Sequence, residues 1–297
     1  MNSASMNDFS MDSRSFGGSL NAKMNAVRAA GFSQITLCAE DLVGHPDGVE
    51  AAVASVQASG LAVTGFQAAC DFEGQSGPLH AFKLDLAQAM LGLCQALRCP
   101  LLVLPASRLT AATNDTKTLL RGLRQLAMLA IPLNIKIAYQ GGAAGGAVVQ
   151  TYLQAWDLVC EADMPNLGLS LDTQEVLAAN TPQDDLLADL EMLDPDSLFL
   201  VQLTDLLMHA GPPGQPLRVL PGDGTHREAL AALVISLHSL GYRGSYNLAA
   251  FNGDYAAMPP HHVAQRARGS ALWLGQDVLQ RSVPLPNQIR LRRSVTV

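Results

Sequence analysis

Short apolar runs alternate with longer amphipathic ones along the whole chain. The apolar runs predict eight strands: Phe9–Asp12, Gln34–Cys38, Leu61–Gln67, Leu101–Pro105, Ile135–Gln140, Leu167–Asp172, Leu198–Thr204 and Ser245–Ala249. Between and after them, helical spacing predicts Leu20–Ala30, Val49–Ala58, Ala81–Leu97, Thr116–Leu129, Val148–Ala162, Gln183–Leu193, Arg227–Leu240 and Val263–Leu279. Gly31 and Gly60 each close a helical run just before a strand, as a C-terminal cap glycine does. Pro132 and Pro165 stop helices before the fifth and sixth strands.

The strand runs, such as LLVL and LFLVQL, are almost continuously apolar. That pattern suits parallel strands covered on both faces. Eight strand–helix units in 297 residues predict an α/β fold, a (β/α)8 TIM barrel in a single domain. An open doubly wound sheet is the alternative, but no G-x-G-x-x-G follows the first strand. The barrel is expected to span residues 1–283, with Pro284–Val297 as a C-terminal tail carrying Arg290, Arg292 and Arg293.

A barrel places its chemistry at the C-terminal ends of its strands. There the sequence offers Asp12 and Arg14; Cys38, Glu40 and Asp41; Gln67, Cys70, Asp71 and Glu73; Ser107 and Arg108; Tyr139 and Gln140; Asp172 and Glu175; Gln202 and Asp205; and Asn247 and Asn252. Such a ring of polar side chains predicts a small-molecule pocket. Its oxygen donors suit a hard divalent cation, although Gln140 and Gln202 are neutral. Asp172 has a second reading, as the N-cap of the helical turn that follows it. Arg218, Lys83 and Arg108 are candidates to hold a carboxylate or phosphate.

Charge narrows the classes. Lys and Arg number 19 against 26 Asp and Glu, a net charge of −7, which argues against a nucleic-acid partner. No apolar run reaches the ~18–20 residues of a membrane helix. The start, MNSASMNDFSMDSRSF, lacks the pattern of a secretory signal, so a cytoplasmic location is expected. The five cysteines show no C-x-x-C spacing and read as reduced, buried thiols. None of the seven histidines sits at a strand end. Neither G-x-S-x-G nor a P-loop occurs, so no nucleotide cofactor is expected.

The segments AVRAAGFSQITL, FQAACDFEG, KIAYQ, TYLQAWDLVCEADMPNLGLSLDT, LFLVQLTD, RVLPGDG and GYRGSYNLAAFN carry a resemblance over residues 20–255. The chain resembles the xylose-isomerase-like TIM barrels, the sugar phosphate isomerase/epimerase group, and within it the bacterial 3-dehydroshikimate dehydratases. That resemblance implies one divalent metal (Mn, Mg, Co or Zn) on four side chains from the fifth to eighth strands. Two of the four positions hold the family's residue, Asp172 and Gln202. The other two carry Gln140 and Ala249 where the family has Glu, so Gln140 is only a further candidate ligand. The family's histidine after the sixth strand falls on Glu175 and an arginine of its third loop on Cys70. Its H-x-R motif becomes Pro216-Leu217-Arg218, and its strand-five loop is GGAAGGA, without histidine. Asp71, Glu73 and Lys83 match the family.

The expected site therefore has Asp172 and Gln202 as metal ligands and Glu175 and Arg218 as catalytic groups. Gln67, Asp71, Lys83, Gln140, Asp205 and Asn247 are the expected contacts to a sugar or keto-acid ligand. Loss of two carboxylate ligands points to a divergent or non-catalytic binding protein with a degraded metal site. The alternative is an active isomerase, epimerase or dehydratase with an altered ligand set. A homodimer is a further expectation.

Overall fold

The computed structural model describes residues 8–67, 71–142, 146–179, 182–208 and 216–280. The expected tail, Pro284–Val297, lies outside them, as does Cys70. The strands are β1 (Phe9–Asp12), β2 (Gln34–Cys38), β3 (Ala62–Gln67), β4 (Leu101–Pro105), β5 (Lys136–Gln140), β6 (Leu167–Asp172), β7 (Leu198–Leu203), β8 (Asp205–Leu207), β9 (Leu217–Val219) and β10 (Ser245–Leu248). Eight of them close a barrel in the order β1-β10-β7-β6-β5-β4-β3-β2, and every pair in it is parallel. The fold is thus the single (β/α)8 barrel that the sequence predicts.

The helices are α1 (Leu20–Ala29), α2 (Ala39–Val43), α3 (Val49–Ser59), α4 (Gly77–Ala96), α5 (Thr116–Ala130), α6 (Tyr152–Ala162), α7 (Thr173–Ala178), α8 (Gln183–Glu191), α9 (Arg227–Leu240), α10 (Gly253–Ala257) and α11 (Pro260–Leu272). Side-chain caps set several starts. Ser19 accepts from the Ala22 N–H before α1, Asp115 from Thr118 before α5, and Thr151 from Gln154 before α6. Gly60 ends α3 in the left-handed region at φ 75°, where a glycine costs nothing.

Three differences from the expected elements have local causes. The fourth helix starts at Gly77 rather than Ala81, because Pro78 fits the first turn, where its missing N–H is not needed. The sixth starts at Tyr152 rather than Val148, where Thr151 supplies the cap. The stretch after β7 pairs antiparallel, Asp205 with Val219 and Leu207 with Leu217, as an extra hairpin not foreseen in the sequence.

Strand alternation then sorts the side chains. Leu102 and Leu104 on β4 face the helices and join the main apolar core. Leu101 and Val103 face the lumen, with Ala138 and Leu200. Higher in the lumen the filling turns polar: Ser10, Thr36, Ser170 and Asn247 are all buried. Ser10 donates to Asn247 Oδ1 at 3.0 Å. The pairing Asp172 with Gln202 and Asn247 with Gln202 brings strand ends from three neighbours to one level. No helix among the described residues is long and apolar enough to cross a membrane.

Candidate functional site

A cavity of about 700 Å³ opens at the C-terminal end of the barrel. Gln67, Asp71, Gln140, Asp172, Gln202 and Arg218, all expected from sequence, line it. Arg14, Arg108, Phe251 and Asn252 line it as well.

The polar groups form one chain of hydrogen bonds that converges from both ends on Asp172 Oδ2. Asp12 takes both sides of the Arg14 fork, Nε to Oδ1 at 2.9 Å and Nη2 to Oδ2 at 2.6 Å. Arg14 Nη2 also donates to Gln202 Oε1 at 3.2 Å. Gln202 Nε2 donates to Gln140 Oε1 at 2.6 Å, and Gln140 Nε2 to Asp172 Oδ2 at 3.1 Å. Arg218 Nη2 donates to the same Oδ2 from the other side. Asp172 Oδ1 accepts the Gln174 N–H at 3.0 Å, so this residue is also the N-cap of α7. The chain begins and ends on a guanidinium. Both guanidinium carbons lie over the Phe251 ring, 4.2 Å (Arg14) and 4.3 Å (Arg218) from its centre. Such cation–π contacts stabilise by ~0.5–2 kcal/mol each, more as water is excluded.

Asn247 sits one layer below, fully buried, and donates to Asp12 Oδ2 at 3.2 Å. It steadies the Asp12–Arg14 pair from beneath. Asp205 lies outside the cavity wall, buried under the loop after β9. Its carboxylate accepts the N–H groups of Leu206, Gly222, Gly224 and His226. Lys83 lies on α4 and is not part of the wall. Asp71, at φ 55°, takes the Arg108 N–H at 2.7 Å and ties the third loop to the fourth. Glu73 ties the same loops from inside: it accepts from Ser107 N–H at 2.6 Å and the Tyr139 hydroxyl at 3.0 Å. Burial pushes its carboxyl above the usual range.

Glu175 also stands behind the wall, buried, its two oxygens without a hydrogen-bond partner among the described residues. Burial, then the neighbouring charge of Asp172, pushes its pKa up to about 9, against the opposing pull of Arg218 and Arg108. It is a neutral acid at pH 7. Cys38, Glu40 and Asp41 line a separate cavity beside α1. Burial, helped by Asp41, pushes the Cys38 thiol up to about 12, so it is no nucleophile.

The sequence profile of the xylose isomerase-like TIM barrel family matches residues 24–275. The chain belongs to that family. Within it, the chain is 33% identical over 278 residues to a 3-dehydroshikimate dehydratase of Pseudomonas aeruginosa. The match covers 91% of this chain and 42% of that protein, so the chain spans less than half the length of this curated relative. Among solved structures it superposes on a xylose isomerase-like TIM barrel/4-hydroxyphenylpyruvate dioxygenase fusion protein, with a TM-score of 0.82 and 28% identity. That match covers 97% of this chain and 44% of the fusion. The IOLI protein, solved with a bound zinc atom, shares the fold at a TM-score of 0.78 and 18% identity, covering 91% of this chain and 99% of its own.

Against the metal set that the family resemblance implies, the donor chemistry of this barrel is unusual. Gln202 Oε1, Gln140 Oε1 and both oxygens of Asp172 already accept N–H groups. Ala249, just past the end of β10, has no donor atom in its side chain. Among the described residues, no three His, Cys, Asp or Glu side chains gather in a metal-binding cluster. Sequence reasoning placed Asp12 and Arg14 at the first strand's end without assigning them a role. The spacing of two residues that lets Arg14 fold back on Asp12 was the available signal.

Proposed function

We propose that this xylose isomerase-like barrel binds a small oxygen-rich molecule, a sugar or keto acid, in the mouth cavity without a divalent metal. The observation that carries the reading is the continuous hydrogen-bond chain from Arg14 through Gln202 and Gln140 to Asp172 and Arg218. A cation placed among these oxygens would compete with N–H groups that each of them already accepts, two of them on Asp172 Oδ2. It would also face two guanidiniums, and both carboxylates at hand are already paired with them, Asp12 with Arg14 and Asp172 with Arg218. Electrostatics disfavours that exchange. The residues present do not fit the metal.

The cavity suits such a ligand in size and polarity. Its wall mixes the forked donors of two arginines with the amides of Gln67, Gln140 and Asn252, the set that fixes hydroxyl, carbonyl and carboxylate oxygens. Phe251 holds both guanidiniums in place before the ligand arrives, which lowers the ordering cost of binding.

Calorimetry on the purified protein tests this reading. Mn2+, Mg2+, Co2+ and Zn2+ are expected to give no stoichiometric binding. A panel of sugars and keto acids, 3-dehydroshikimate included, is expected to contain binders whose affinity EDTA leaves unchanged. Stoichiometric metal that disappears in Asp172→Ala would overturn it. The 3-dehydroshikimate dehydratase relative supports a second reading, a lyase that works with the altered ring. Loss of water from 3-dehydroshikimate at a rate that drops in Arg218→Ala would establish it.

A further inference from the structure

We propose that Arg14 is a built-in cation of this site: with Arg218 it holds a carboxylate or enolate oxygen of the ligand where the family's metal would hold one. The inference rests on the metal-free pocket reading above and names its ligand as an oxyanion rather than a neutral sugar.

Arg14 leaves β1 through a short turn that starts at its own salt-bridge partner, Asp12. Its Nε and Nη2 are fixed by that carboxylate and by Gln202. Nη1 makes no hydrogen bond among the described residues, and the side chain, 23% exposed, lines both this cavity and the separate one beside α1. A guanidinium locked on two of its nitrogens still offers a third in a fixed direction. Arg218 is locked in the same way, through Nη1 on the Ala249 carbonyl at 3.2 Å and Nη2 on Asp172.

Gln202 is the link to the metal position. Its Oε1, a ligand atom by family resemblance, points at Arg14 Nη2. The positive charge on this oxygen's far side is therefore a guanidinium. Arginine cannot lose its proton at working pH and presents a planar fork, so it recognises carboxylates and enolates by shape as well as charge. Both guanidiniums pack on the Phe251 ring, and both arginines line the same cavity, so an anion in it has two guanidiniums within the wall.

The test is calorimetry with pyruvate, oxalate and neutral D-xylose as probes, on the wild-type chain, Arg14→Gln and Arg14→Lys. Arg14→Lys keeps the charge that balances buried Asp12, so it preserves the fold if Arg14→Gln does not. The expected result is wild-type binding of pyruvate or oxalate, weakened about tenfold or more in Arg14→Gln and by a smaller factor in Arg14→Lys, which loses the fork. D-xylose affinity stays the same in all three. Carboxylate affinity that is equal in wild type and Arg14→Lys, with Arg14→Gln equal or unfolded, would overturn the role of Arg14 and leave the pocket reading standing. Binding of D-xylose alone by the wild type would likewise overturn the oxyanion assignment only. If the wild type binds none of the probes, and none of the wider panel, the pocket reading falls and takes this inference with it.

Discussion

The two oxygens of Asp172 do different work: Oδ1 caps α7, and Oδ2 takes N–H groups from Gln140 and Arg218. Substitution can separate the two. Asn caps a helix as well as Asp does but carries no charge. Asp172→Asn is expected to lose about 3 kcal/mol in urea denaturation, because it strands the nearly buried Arg218 charge. Asp172→Ala should lose ~1 kcal/mol more, the value of the cap. A loss below ~1 kcal/mol for Asp172→Asn would mean the pair is worth no more than a surface one. Glu175 gives a pH signature. Its pKa is raised to about 9 in the fold, so the folded state binds a proton that the unfolded chain releases near the ordinary glutamate value. Its contribution is complete in acid and is lost as pH rises through the window up to about 9. Glu175→Gln, which cannot ionise, should therefore be more stable than wild type at pH 8 and not at pH 4. The gap is expected to widen by up to ~1.4 kcal/mol for each pH unit between. Parallel stability curves for the two proteins across that range would rule this out.

At the level of elements, one carboxylate gathers much of the loop after β9. Asp205 collects four backbone N–H groups, which sets the hairpin and carries Arg218 to the cavity. Asp205→Ala is expected to cost about 2–3 kcal/mol, since one buried and three half-buried N–H donors lose a charged acceptor. Gly224→Ala should act through the same contact: an added Cβ would run into the Asp205 carboxylate and stand 2.6 Å from the Leu206 carbonyl oxygen. Both variants should weaken ligand binding along with stability, as a crystal structure or calorimetry would report. The strands and main helices were legible in the sequence because apolar period and capping residues agree there. The hairpin was not, because three-residue strands such as Asp205–Leu207 and Leu217–Val219 are too short to show a period. The side-chain ring was legible as a set of strand ends, but not its wiring. No spacing rule says that Gln202 turns its oxygen to Arg14, or that Asp205 and Glu175 stand behind the wall while Phe251 stands in it. Those choices depend on contacts between residues as far apart as Arg14 and Gln202.

Taken whole, the barrel shares one lumen, apolar below and polar above, and one wrapping core, so its parts have little to gain from folding apart. Trp156 on α6 and Trp273 just past α11 report on different elements of that core. Denaturation followed by tryptophan fluorescence and by far-UV circular dichroism should give coincident curves; separated midpoints would show a part that melts alone. The seam between β1 and β10 has a consequence for the newly made chain. Asp12 and Arg14 come from the beginning of the sequence, Asn247, Phe251 and Asn252 from near its end, and they meet only when that seam zips. A chain synthesised only as far as β7 has therefore made most of the wall and no receptor. Whatever molecule fills the mouth can recognise only a closed barrel, and by doing so it holds β1 against β10.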